Sequence, residues 1–149
     1  MINLSNVKTK GQFKWRSVYN GDFTLKGCIL VDKIQELNNE FIFKIKLNDS
    51  HLKTIRVIEN NIRKALINDN CYLKEQLVDN NIITLKLVST KKLIKTNILN
   101  CKGEQKLYSE LYSEQLLDID FTIDSIWAHR QYYPNFVYKL KPSTIHACE

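Results

Sequence analysis

Residues 13–47 read FKWRSVYNGDFTLKGCILVDKIQELNNEFIFKIKL, and the period of that stretch decides the fold. Phe13, Trp15, Ser17 and Tyr19 alternate with Lys14, Arg16 and Val18. Phe23, Leu25, Gly27, Ile29 and Val31 form a second such face, and Phe41, Phe43, Ile45 and Leu47 oppose Ile42, Lys44 and Lys46. Successive side chains on a strand point to opposite faces, so this pattern predicts three consecutive antiparallel strands. Asn20-Gly21-Asp22 supplies residues that accept positive φ without penalty, which predicts a hairpin there, and the polar run at 36–40 predicts the second turn.

Outward from that meander the period changes. Leu52, Ile55, Ile58 or Ile62, and Leu66 recur at three- and four-residue steps, which predicts one helix starting near 55 and ending before Asn68-Asp69-Asn70. Alternation resumes at 81–88 and 91–99, joined by Ser89-Thr90 and closed by Asn100-Cys101-Lys102-Gly103. The segment 104–117 fits a second helix or a loop. DFTIDSIW at 120–127 and NFVYKL at 135–140 alternate around a turn at Pro134. No repeat or linker interrupts this order, and 149 residues suit one domain with one core. The expected class is mainly β: a partly open Greek-key barrel, OB-fold-like, with one helix between strands. A β-sandwich is the alternative.

Composition removes several functions. With four Gly and two Pro the chain has no Gly-rich loop to cradle phosphates, and neither a Walker loop nor a nucleophile elbow occurs. His51, His129 and His146 lack zinc or triad spacing, so no metal and no cofactor are expected. Cys28, Cys71, Cys101 and Cys148 are too far apart for a metal clip, and they are read as reduced thiols, with Cys28 in the core. No apolar run approaches the 18 or so residues of a membrane span, and the N-terminus has no export signal, so an intracellular protein with no membrane partner is expected. Asp118, Asp120 and Asp124 could hold Mg²⁺ for phosphoryl chemistry, but acids on a strand edge more often discourage self-pairing. The chain is not read as an enzyme.

Charge and aromatic residues point to binding. The net charge is +6, and it is arranged in blocks: residues 1–20 hold Lys8, Lys10, Lys14 and Arg16 without an acid. Residues 82–102 hold Lys86, Lys91, Lys92, Lys95 and Lys102, again without an acid, and 103–126 carry six acids against Lys106. Aromatics lie beside cations: Trp15 next to Arg16, Phe43 next to Lys44, with Lys46 further along that strand, Trp127 near Arg130, and Tyr138 next to Lys139. Such interleaving suits single-stranded nucleic acid, because bases stack on rings for about 1–3 kcal/mol each while lysines neutralise phosphates. Trp127 is a candidate to stack bases, and parity with Phe121 and Ile123 gives it an inward position as the alternative, so Tyr132 and Tyr133 at the Pro134 turn carry most of the stacking expectation. Lys91 and Lys95 share one side of the 91–99 strand and can act together.

The run Tyr19-Asn20-Gly21, Phe23, Leu25 and onward to Val31, the Phe41–Leu47 strand, the following helix, and the ending Ile123–Trp127 with Phe136–Leu140 resemble the OB-fold single-stranded DNA-binding proteins of large DNA viruses, with phage counterparts more distant. The resemblance implies a viral protein that coats single-stranded DNA during replication or recombination, in the host cytoplasm or nucleus. RNA as the ligand and self-association stay open. The alternative is a structural or protein-interaction β-domain of a virion or assembly, whose rings fill a core or interface.

Overall fold

The computed structural model describes residues 1–76, 78–91 and 93–148. In chain order the strands are β1 (Asn3–Leu4), β2 (Lys8–Lys10), β3 (Phe13–Tyr19), β4 (Asp22–Leu30), β5 (Gln35–Leu37) and β6 (Glu40–Lys46), followed by the helix α1 (Asp49–Leu66). Then come β7 (Tyr72–Leu73), β8 (Ile82–Lys86), β9 (Ser89–Thr90), β10 (Leu93–Ile94), β11 (Asn97–Leu99), β12 (Leu116–Thr122), β13 (Ser125–His129), β14 (Asn135–Tyr138) and β15 (Lys141–His146). The architecture is mainly β with one long helix between strands, as the alternation predicts. Among the described residues no helix is long and apolar enough to cross a membrane.

The helix begins six residues before the position that hydrophobic spacing suggests. Asn48 is the reason: its side-chain oxygen accepts the His51 backbone N–H at 2.8 Å while the His51 ring accepts the Asn48 N–H at 3.0 Å, a reciprocal cap on the first turn. At the other end the chain tightens into a 3₁₀ turn over Ile67–Asp69 and stops where Asn70 enters the left-handed region.

The residues divide into two compact units. The first comprises 1–22, 53–76 and 123–139, and its sheet runs β1-β3-β13-β14-β7, with β2 also on β3. Its interior faces carry Val18, Ile126, Ala128, Phe136 and Tyr138, with Ile55, Ile62 and Leu66 buried on the helix. Glu59 is the buried acid of this unit. Its carboxylate accepts the Tyr138 hydroxyl at 2.6 Å, the Gln76 N–H at 2.6 Å and the Arg56 guanidinium at 2.8 Å, so each oxygen is satisfied. The predicted hairpin of β3 with β4 is absent, because both edges of β3 are taken: β13 holds one, and β1 and β2 hold the other. Asn20-Gly21 is still a turn, with Asn20 at φ 63°, but it leads into the other sheet. Its glycine O accepts the Ile123 N–H at 3.0 Å.

The second unit comprises 23–52, 77–122 and 140–149, and its sheet runs β11-β15-β12-β4-β6-β5, with β8 also on β6. Its strands bury apolar residues that include Leu25, Leu30, Phe41, Phe43, Ile45, Ile83, Leu85, Leu117, Ile119, Phe121 and Ile145. Three local expectations change here. The 81–88 and 91–99 segments meet at their near ends, where the short β9–β10 hairpin is continued by the Lys95 and Thr96 N–H groups on the Val88 carbonyl, but their longer strands take other partners: β8 pairs with β6, β11 runs parallel to β15, and the turn falls at Lys91, in the left-handed region, rather than at Ser89-Thr90. Lys91 and Lys95 therefore do not share a strand face. The segment 104–117 is loop with a single 3₁₀ turn, Tyr108–Glu110, before β12 begins. Finally, Cys101 and Cys148 form a disulfide, against the reading of all four thiols as reduced. The parallel register Leu99↔His146 carries both cysteines two residues further along, with Cα atoms 4.9 Å apart, a proximity that a 47-residue separation conceals. Cys28 is core as expected, and burial pushes its thiol pKa up to about 12, with the charge of Asp118 adding to the shift.

The acids on β12 are engaged within this unit. Asp118 accepts the Gly27 N–H at 2.8 Å, and Asp120 accepts the Thr24 hydroxyl at 2.6 Å and the His146 ring at 3.1 Å. The Thr24 hydrogen bond holds the Asp120 carboxyl below its ordinary pKa; partial burial opposes the shift and His146 reinforces it. A depressed folded pKa gives stability that is present above the unfolded value and lost as pH falls through the folded one. Thr24→Val should accordingly lower the melting temperature at neutral pH, with the gap to the parent closing as pH drops below about 4, where unfolded aspartates protonate. In the first unit, a Cβ at Gly21 would collide with the Ile123 carbonyl oxygen. Gly21→Ala should cost about 1–3 kcal/mol in chemical denaturation, the usual penalty for overpacking.

Candidate nucleic-acid interface

Cross-strand pairing in the first unit builds an aromatic face. Residues directly opposite each other on neighbouring strands share a side of the sheet, so the register aligns Lys8, Trp15, Trp127 and Val137 in one row and Lys10, Phe13 and His129 in the next. Ser17 and Ser125 make a third row, and Tyr19 ends β3 on the same side. The alternate residues Arg16, Val18, Ile126 and Ala128 are buried, which sets the row-forming side chains on the more exposed face.

Trp127 is therefore not inward with Phe121 and Ile123. Ile123 and Asp124 link β12 to β13 through hydrogen bonds to Gly21 and Val18, and the burial alternation changes phase across that link: Phe121 and Ile123 are buried, then Ile126 and Ala128. Parity read across a link between two strands fails for this reason.

Cations border the rings. The Lys8 ammonium lies 4.8 Å from the Trp15 ring centroid, and Lys139 lies 5.7 Å from that of Trp127. Both are within cation–π range. Phe13 meets the His129 ring edge-to-face at 5.5 Å, and Tyr132 meets the same ring at 6.2 Å. The His129 tautomer follows from its partners. Its Nδ1 accepts the Gln131 N–H at 3.1 Å, so Nε2 carries the hydrogen and donates to Gln12 at 2.7 Å. Arg130 is exposed just beyond it.

The other residues expected to bind fall elsewhere. Arg16 is 6% exposed: its guanidinium donates to the Ser5 carbonyl at 2.6 Å and to Asp69 at 2.9 Å, so it serves the interior and not the aromatic face. Tyr133 separates from Tyr132. Its ring packs edge-on to Phe136 at 5.9 Å with the Lys14 ammonium 5.2 Å away, and partial burial, with Cys71 beside it, raises its hydroxyl pKa. Lys44, Lys46 and Lys86 belong to the second unit, on the exposed face of β6 and β8, where Lys86 is bonded to Glu40 at 2.6 Å. Lys91 occupies the β9–β10 turn, Lys95 follows β10, and Lys92 lies outside the described residues. Phe13, His129, Lys8 and Lys10 join the aromatic face without having been singled out. The register of β2 with β3 places Lys8 and Lys10, and that of β3 with β13, strands over a hundred residues apart in the chain, places His129 against Phe13.

No protein-family model and no curated protein matches the sequence. Among solved structures the chain is similar to gp2.5, a single-stranded DNA-binding protein encoded by bacteriophage T7: 13% of residues are identical, 86% of each chain is covered and the TM-score is 0.55. At that identity the likeness is one of fold, and the class it supports is the OB-like one expected from the strand pattern. The viral likeness found is to a phage protein rather than to one from a large DNA virus.

The placement of Arg16 has a direct test. Arg16→Met should lower stability by about 1.5–3 kcal/mol, the worth of hydrogen bonds from a charged group. Oligonucleotide affinity of the folded variant, measured by anisotropy, should stay at the parent value.

Proposed function

We propose that this chain is a non-enzymatic, OB-like domain that binds single-stranded DNA without sequence preference, stacking bases on the outer face of β3 and β13. The observation that carries the reading is the in-register Trp15–Trp127 pair, half-exposed on a strand face with a lysine at each ring. Rings on an exposed sheet face accept any base, and neighbouring ammonium groups neutralise the phosphates that connect them. Phe13 and Tyr132 extend the stacking area, and Arg130 and Lys139 add charge at its rim. The likeness of fold to a phage single-stranded DNA-binding protein supports the same reading, and a role in viral replication or recombination is the further part of the proposal. Lys44, Lys46 and Lys86 form a separate basic strand face that supplies further phosphate contacts.

Titration with oligo-dT at two salt concentrations tests the reading. Tryptophan emission should be quenched as bases cover the indoles, and affinity should fall steeply as salt rises. Replacing Trp15 and Trp127 together by Ala should weaken binding by about 2–6 kcal/mol, one stacked base per ring. The variant must still melt cooperatively for the comparison to count. If the parent shows no affinity for oligo-dT but sediments as a dimer that the double variant abolishes, the rings fill a protein interface and the reading fails.

A further inference from the structure

Two lysines of the N-terminal edge strand stand in step with the aromatic rows. Lys8 pairs with Trp15 and Lys10 pairs with Phe13, and both project to the side that carries the rings. Thr9, between them, faces the other way, where its hydroxyl accepts the Lys14 ammonium at 3.2 Å. The opposite border differs. There Val137 is the residue in register with Trp127, and Lys139 reaches that ring from beyond the end of β14. One border thus repeats a cation at the spacing of the rings, while the other offers an aliphatic residue in the row and a single cation past its end.

We infer that β2 is the phosphate track of the site: the nucleic-acid backbone runs along Lys8 and Lys10, and its bases turn inward over Phe13, Trp15 and Trp127. The inference rests on the stacking function proposed above and adds the path and the two contact residues. On a strand, residues two apart are separated by about 6.6–6.8 Å, so successive lysines and successive rings advance together. A base taken up on Trp15 displaces the Lys8 ammonium from the ring face, and a phosphate on the same border receives it, replacing one electrostatic partner by a stronger one. Lysine on an edge strand also discourages pairing with a second chain. A salt titration registers only the phosphate role.

The test compares the parent with Lys8→Gln plus Lys10→Gln and, separately, with Lys139→Gln, by oligo-dT titration across a salt series. Each single-strand phosphate contact contributes about 0.7 to the slope of log affinity against log salt. The double variant should lose about 1.4 of that slope, keep the parent's quenching at saturation because the bases still stack, and recover the slope when both positions are Arg. If the double variant misfolds, Lys8→Gln and Lys10→Gln singly should each lose about 0.7. An unchanged slope in folded variants of a parent that binds overturns the track and leaves the stacking function standing. Loss appearing in Lys139→Gln instead moves the backbone to β14 and also overturns it. A parent that neither binds nor quenches overturns both.

Discussion

The pairing of β3 with β13 is the constraint on which the first unit depends. It brings Trp15 against Trp127 and Phe13 against His129, and by occupying one edge of β3 it leaves the other for the N-terminal strands. It also decides which half of each strand is buried. Arg16, Val18, Ile126 and Ala128 turn inward together, and a strand shifted by one residue would bury the tryptophans and expose the guanidinium. The aromatic face and the interior are two sides of one register.

Strand and helix types were legible along the chain because periodicity is local. Phe41, Phe43 and Ile45 alternate with Ile42, Lys44 and Lys46, and Ile55, Ile62 and Leu66 follow a helical step, so both elements form, the helix with six further residues before its expected start. Partners were less legible. The Asn20-Gly21 turn has hairpin chemistry, yet β3 and β4 belong to different sheets, and the lysine-rich 91–99 run splits between a short hairpin and a parallel edge strand. Parallel pairing of β11 with β15 has no local signature, and Cys101 meeting Cys148 follows from it alone. For the proposed site, composition suggested the chemistry, but register was needed to set Lys8 beside Trp15 and tertiary packing to separate Tyr132, against His129, from Tyr133, against Phe136.

Charge is used in two ways that composition cannot separate. Arg16 with Asp69, and Glu59 with Arg56 and Tyr138, satisfy polar groups that folding removes from water. A burial that leaves no lone pair without a donor is tolerated where an unpaired one would not be. Burial and the nearby carboxylate of Glu59 push the Tyr138 hydroxyl far above its ordinary pKa, which favours the protonated hydroxyl that donates to Glu59. Lys8 and Lys139, by contrast, hold their charge against ring faces at the border of the sheet, where a competing anion can reach it.

The distance in sequence between β3 and β13 also dictates the order of events at the ribosome. When Phe13, Trp15 and Tyr19 leave the exit tunnel, β1 and β2 have been made but β13, which will cover the other edge of their strand, has not. At about 5–20 residues per second, roughly a hundred intervening residues take about 5–20 s to appear. For that interval the nascent chain presents a ring-bearing strand with one edge unpaired, the kind of segment on which chaperones act and from which aggregates grow. The lysines and the arginine among the first twenty residues, with no acid between them, give that waiting segment a uniform positive charge and so keep neighbouring nascent chains apart.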